Sequence, residues 1–139
     1  MSQVFATCIF LAAQMYALPP AMLAGIHHVE GGKAGQEVGP NANGTYDLGP
    51  MQINSSWVPL LARNWHVSEA KARSWVRDDV CTNVGVAAWI LRSNLEETGD
   101  ISKAIAYYNS RTTVHGQPYK EKVIGSMDRF GLINASDGR

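Results

Sequence analysis

The chain is short of the features that most readily assign a protein to a class. Charge of one sign is missing: 12 Lys and Arg face 12 Asp and Glu among 139 residues, for a formal net charge of zero. That balance builds no electrostatic surface for nucleic acid or an acidic membrane. No apolar run approaches the roughly 20 residues that a bilayer-spanning helix needs, which excludes an integral membrane segment. Repeats and low-complexity tracts are also missing, and hydrophobic residues make up 45% of the chain. One globular domain round one core is expected, with residues 1–133 in the domain and the polar stretch 134–139 as a frayed tail. Cysteine is scarce, with only Cys8 and Cys81 present. Neither has a histidine or third cysteine at ligand spacing, so no metal site is expected. Two readings of the pair stay open: buried thiols, or one disulfide of an oxidising compartment. Residues 8 and 81 are 73 positions apart, and closing such a loop is worth roughly 4 kcal/mol in the chain-entropy model.

What is there is mostly helical. The opening MSQVFATCIFLAAQMYALPP has no basic n-region, and Gln3, Thr7 and Gln14 interrupt it, so it does not read as a signal peptide. Val4, Phe5, Cys8, Ile9, Ala12 and Tyr16 recur at helical spacing behind Ser2, a suitable cap. The first helix of the domain is expected there, and an exported form would have lost its leader. Pro19-Pro20 starts a second helix with Met22, Leu23, Ile26 and Val29 as its stripe, stopped by Gly31-Gly32. A polar, glycine-rich stretch runs from Lys33 to Tyr46. Asn43-Gly44 then signals a turn ahead of a short strand at Met51 to Asn54. Ser55 or Ser56 is placed to cap a segment through Trp57, Leu60 and Leu61, and Ser68 to cap one reaching Arg77. Val80 to Glu97 reads as the best core helix, ending at Gly99. Asp100 caps Ile101 to Tyr108, and Pro118 to Phe130 forms a last helix ending at Gly131. The fold class is therefore mainly α, with a small β-hairpin element.

Two carboxylates stand out. Glu30 ends an apolar helix before two glycines, where the helix dipole disfavours negative charge. A solvated glutamate in a last turn is the plainer reading. The dipole costs only about 0.3–1 kcal/mol, too little to lift a carboxyl from about 4.3 to the value near 6 that a glycosidic acid wants. Burial in an apolar cleft would have to supply the rest. Asp47 follows 17 positions on, at the edge of the expected strand. Alone it reads as a turn or capping aspartate. Across a cleft from Glu30 it could act as nucleophile, or stabilise an oxocarbenium-like transition state.

The string Asn43-Gly44-Thr45-Tyr46-Asp47-Leu48-Gly49-Pro50-Met51-Gln52-Ile53-Asn54-Ser55 resembles the G-L-M-Q-I-N signature of the lytic transglycosylase family, of soluble lytic transglycosylase type. Ile26 to Gly32, IHHVEGG, is similar to that family's helix end with its single catalytic glutamate, and Ala106-Tyr107-Tyr108-Asn109 to its A-Y-N motif. Val80-Cys81-Thr82-Asn83-Val84 with Ala87-Trp89-Ile90-Leu91 resembles a helix of the members that accompany secretion and conjugation machines. Those relatives commonly carry a cysteine matching Cys8, which favours the disulfide. The resemblance runs from about Cys8 to Asn109.

It implies a lysozyme-like domain whose hairpin lies beside a cleft binding peptidoglycan glycan strands. Glu30 would protonate the glycosidic oxygen and then act as base. Gln52 and Asn54 would lie by the cleft, Tyr108 would hydrogen-bond and position Glu30, and Asn109 would sit near substrate. Gly49 would let the backbone approach the sugar, and Met51 would line the cleft. The reaction implied is cleavage of the β-1,4 bond between N-acetylmuramic acid and N-acetylglucosamine, with 1,6-anhydro ends in place of hydrolysis. No cofactor is needed, since acid–base and electrostatic chemistry suffice. A periplasmic monomer is implied, one that opens the wall for a secretion or conjugation apparatus whose components are its other candidate partners.

Three departures mark this sequence. Gly31 replaces the serine that usually follows the glutamate, and Pro50 replaces a leucine and removes a backbone donor. Asp47 stands where animal-type lysozymes carry their aspartate, which keeps a hydrolytic muramidase using Glu30 and Asp47 as an alternative. A non-catalytic module that binds glycan or docks on a secretion apparatus is a further one, supported only by Gly31. Other residues carry plainer readings. His27 and His28 point to different helix faces, one expected partly buried near the cleft and one solvated. Trp57, Trp65, Trp75 and Trp89 could stack on sugars, but their helical spacing favours the core. Asn41, Asn43 and Thr45 border the site, and Arg111 is a candidate for a stem-peptide or lactyl carboxylate.

Overall fold

The computed structural model describes residues 2–109 and 113–129. Helix α1 spans Gln3–Tyr16, with the Ser2 hydroxyl accepting from Phe5 N at 3.1 Å. Phe5, Cys8, Ile9, Ala12 and Ala13 face the core, whereas Val4, placed on that face by spacing, is 67% exposed. Helix α2 is Pro20–Glu30, with Met22, Leu23 and Ile26 fully buried. It ends on Gly31 in the left-handed region (φ 66°), whose N–H returns to His27 O at 2.8 Å. A side chain there would be strained, so glycine at 31 follows from how the helix stops.

The β element is a three-stranded antiparallel sheet, larger than the expected hairpin: β1 Glu37–Val38, β2 Asp47–Leu48 and β3 Ile53–Asn54, in that order. Asp47 pairs with Val38 and Asn54, and Leu48 with Glu37 and Ile53. The third strand begins at Ile53, not Met51, because Gly49 to Gln52 forms a tight turn. Gln52 N donates to Gly49 O at 3.1 Å and Gln52 takes a positive φ of 54°. Neither Ser55 nor Ser56 is the cap beyond the sheet. That role falls to Asn54, whose Oδ1 accepts from Ser56 N at 3.0 Å, while Ser55 Oγ accepts from Tyr46 N and ties the short 3-10 turn Ser55–Trp57 to the sheet.

Helix α3 is Val58–Trp65 and α4 is Glu69–Asp78, capped by Ser68 Oγ on Lys71 N at 3.1 Å. Helix α5, Val80–Thr98, is the central helix, with Asp79 accepting from Thr82 N and Gly99 ending it at φ 67°. It packs against α1, α4 and the next helix, α6, Ile101–Asn109. A Cys8–Cys81 disulfide ties α1 to the start of α5, with Cα atoms 4.9 Å apart. Helix α7 spans Thr113–Arg129 and so starts before Pro118, which lies inside it at the cost of one backbone donor. It lies on α2 and α6. Gly25 allows the approach: a Cβ there would come within 2.9 Å of Met127 Cγ and 3.0 Å of Val123 O. The expected end at Gly131, the tail 134–139 and Arg111 lie outside the described residues. Among those described, no helix is long and apolar enough to cross a membrane.

Two devices hold the sheet against the helices. Asn83 on α5 is fully buried, donating from Nδ2 to Leu48 O and Val76 O at 2.9 Å each and accepting from Met51 N at 2.8 Å. Glu37 on β1 receives Arg73 at 2.7 Å and Arg77 at 3.0 Å, both from α4.

Candidate active site

A polar cleft of about 340 Å³ opens between the sheet and α2, α5 and α6. Glu30 and Asp47 both line it, together with Gln52, Asn54, Tyr108 and Asn109. Six of the residues singled out in the sequence thus converge, although they span residues 30 to 109. A second groove is wider, about 440 Å³, but no carboxylate lines it.

Glu30 reaches the cleft because α2 must stop at Gly31, leaving the carboxyl at the helix mouth. Gly32 then crosses beneath the turn, where a Cβ would strike Gly49 O and come within 2.6 Å of Gln52 Nε2. Burial pushes the Glu30 pKa up to about 7, with the negative charge of Asp47 adding to the rise and Tyr119 opposing it. The Tyr119 hydroxyl is buried, facing Glu30 closely enough to favour the carboxylate, yet its geometry falls outside that of a formed hydrogen bond. Such bonds often tighten only once substrate is bound. A carboxyl with a pKa near 7 is still partly protonated at neutral pH and can donate to a glycosidic oxygen.

Asp47 lives in contrasting surroundings. Asn54 Nδ2 donates to its Oδ1 at 3.2 Å and Asn41 Nδ2 to its Oδ2 at 3.4 Å. Both amides also reach Thr45 Oγ1, at 2.9 and 3.0 Å, and Thr45 donates to Asn43 Oδ1 at 2.6 Å. The cross-strand pairing of Asp47 with Asn54 sets this cluster.

Three expectations need correction. Tyr108 does not hold Glu30: its hydroxyl donates to Met51 O at 2.7 Å, and its ring stacks on Tyr119 with centroids 6.4 Å apart. The tyrosine facing Glu30 is Tyr119 on α7. Burial, then the charge of Glu30, holds both phenols protonated far above their usual range. Met51 does not line the cleft, because the Gly49–Gln52 turn directs its side chain fully into the core. Gly49 faces away from the cleft too. Its φ is 68°, and a Cβ would sit 2.5 Å from Asn83 Nδ2 and 3.0 Å from Val76 O, so glycine there serves the seat of the turn on α4 and α5.

Sequence reasoning misses Asn94, a buried amide donating to Ala104 O at 3.2 Å that lines the cleft, while Trp57, read as core, packs half-buried against the core and also lines the cleft. A polar residue on the apolar face of α5 is the available signal for Asn94. His27 is half-buried against Phe5, ring centroids 4.2 Å apart, and His28 is exposed. Among the described residues no group of three or more His, Cys, Asp or Glu side chains converges.

The site is thus a desolvated glutamate at a helix end, opposite an amide-lined wall, in a mainly α fold of lysozyme-like class. More specifically, the chain belongs to the transglycosylase SLT domain family, whose model matches residues 7–123. It is 30% identical over 109 residues to the invasion protein IagB of Salmonella typhimurium, strains SL1344 and LT2, and equally to that of Salmonella typhi. The match covers 78% of this chain and 65% of those relatives, so the chain corresponds to about two-thirds of their length.

Proposed function

We propose that this protein is a peptidoglycan lytic transglycosylase with Glu30 as its acid and base. The observation that carries the reading is the Glu30 carboxyl, raised to about 7 by burial in a cleft lined by amides and aromatic rings. Glu30 donates its proton to the glycosidic oxygen as the bond from C1 of N-acetylmuramic acid breaks, releasing the N-acetylglucosamine hydroxyl. The resulting carboxylate takes the proton of the muramic 6-hydroxyl, whose oxygen closes on C1 to give the 1,6-anhydro ring. Glu30 regains its proton and no water is consumed. Tyr119 steadies the carboxylate formed midway. Tyr108, bonded to Met51 O, fixes the turn that carries Gln52. The amides of Gln52, Asn54 and Asn109 supply hydrogen bonds to sugar hydroxyl and N-acetyl groups.

Peptidoglycan as substrate places the protein outside the cytoplasm, with the periplasm as its proposed site. The relatives named as invasion proteins fit a role in opening the wall for a secretion or conjugation apparatus. A hydrolytic muramidase is the second reading, favoured by Asp47, which faces the same cleft with both oxygens held by Asn41 and Asn54. Mass spectrometry of products from purified peptidoglycan separates the two. Anhydro-muramic ends are expected. Reducing muramic ends would transfer the second catalytic role to Asp47, and intact glycan would overturn both readings.

A further inference from the structure

Helical spacing assigns the four tryptophans to the core, yet none is fully buried, and Trp75 is 40% exposed. Three of them, with Tyr16, wall the 440 Å³ groove formed by the end of α1 with α3, α4 and α5. Trp65 and Trp75 lie with ring centroids 5.6 Å apart at 47°, so they form a bent platform. Trp89 forms another wall and meets Trp57 edge-on at 5.5 Å. Trp57 in turn lines the candidate cleft, so this pair of indoles has one ring in each groove.

Three half-exposed indoles gathered in one groove offer a surface whose chemistry selects what can dock there. The groove's floor is aliphatic, Leu61 and Val86, both buried. Its polar contribution comes from uncharged groups, Asn64 and Thr82, and no Asp, Glu, Lys, Arg or His lines it. Lys71 stands at the rim, 5.9 Å from the Trp75 ring centroid. An aromatic face is electron-rich and attracts C–H groups that carry partial positive charge. A β-linked pyranose presents such C–H groups on its faces and hydroxyl and amide groups at its edge. The volume lies within the roughly 300–1,000 Å³ range of ligand sites, and an uncharged lining suits the uncharged N-acetylglucosamine units of the strand.

We propose that this aromatic groove is a second glycan-binding site, which holds a strand of β-1,4-linked N-acetylated amino sugars next to the cleft. It rests on the peptidoglycan reading given above. A polymer gripped at two places on one small domain is retained through effective concentration, so a modest second site prolongs residence on the wall.

The test uses the Glu30→Gln protein, so that ligand is not consumed, with the β-1,4-linked trimer of N-acetylglucosamine and intact cell-wall sacculi as probes. Indole N–H resonances of Trp65 and Trp75 are expected to shift on titration with the trimer. Trp75→Ala, an exposed substitution checked for folding by circular dichroism, is expected to weaken sacculus binding about tenfold. Unmoved Trp65 and Trp75 signals at millimolar trimer, or sacculus binding equal to the parent, would overturn the proposal. So would self-association that Trp75→Ala abolishes, since the groove would then be a seat for a second copy. If the unmutated enzyme releases no peptidoglycan products while Trp65 and Trp75 still titrate with the trimer, the function proposed above fails and the second site stands.

Discussion

The two walls of the cleft present the same functional group in opposite settings. On the helical wall, Glu30 ends α2 in low-dielectric surroundings and keeps its proton towards neutrality. On the sheet wall, Asp47 sits among amide donors whose positions are fixed by antiparallel pairing. A helix end brings one carboxyl into a dry corner where a single buried hydroxyl, that of Tyr119, faces it, whereas a strand pair aims several polar side chains at one another. Acid catalysis on a glycan wants that asymmetry, with one group available as a proton donor and the other wall kept polar.

Removing the acid breaks the comparison outright. Glu30→Gln is expected to lower peptidoglycan cleavage by about 10³-fold or more, measured as released products. The same variant is expected to be more stable at neutral pH. The folded carboxyl holds its proton to higher pH than the unfolded chain does, so stability falls as pH rises from about 4 to about 7. The shift to about 7 corresponds to at most about 3 kcal/mol, which the variant recovers at pH 8 and not at pH 4.

The sheet wall depends on Asn83. Asn83→Ala strands Leu48 O, Val76 O and Met51 N in the interior and is expected to cost about 2–4 kcal/mol in denaturant unfolding. Two milder substitutions sharpen the contrast. Tyr119→Phe removes a group that favours the Glu30 carboxylate, so Glu30 should titrate higher and the activity profile should move to higher pH. Asp47→Asn removes a charge that raises Glu30, so the profile should move to lower pH. Each is expected to reduce cleavage about tenfold, and a loss with Asp47→Asn equal to that of Glu30→Gln would favour the muramidase reading. The smallest effect belongs to Glu37→Gln. The Arg73 and Arg77 partners hold Glu37 below the usual carboxylate range. The stability it adds is present above about pH 4 and is lost on acidification. Glu37 keeps 27% of its side-chain surface exposed and its arginines about a third, so the loss should stay under about 1 kcal/mol by thermal melts.

Much of this is legible in the sequence where the controlling interaction is local. Ser2, Ser68 and Asp100 cap within three residues, and Gly31 and Gly99 end their helices through their own backbone. The position of Glu30 at the end of α2 comes from the same signals. The sheet is harder to read, because two-residue strands carry no period and their register is set by Asn83, 35 residues from Leu48. The motif places Met51 and Gly49 in the cleft, but the turn they form is seated on α4 and α5. Which tyrosine meets Glu30 depends on how closely α7 lies on α2, a distance set at Gly25. The tryptophans are legible in part: Trp57, Trp65 and Trp89 do pack against the core, half-buried, but the faces that carry them also border open grooves, and Trp75 is exposed.

The central claim is that burial keeps Glu30 protonated far above an ordinary carboxyl. Carbon-detected NMR titration of the Glu30 side-chain carboxyl in labelled protein tests it directly. A midpoint at about 7 is the expected result, and a midpoint near the ordinary value of about 4.3 would contradict the account.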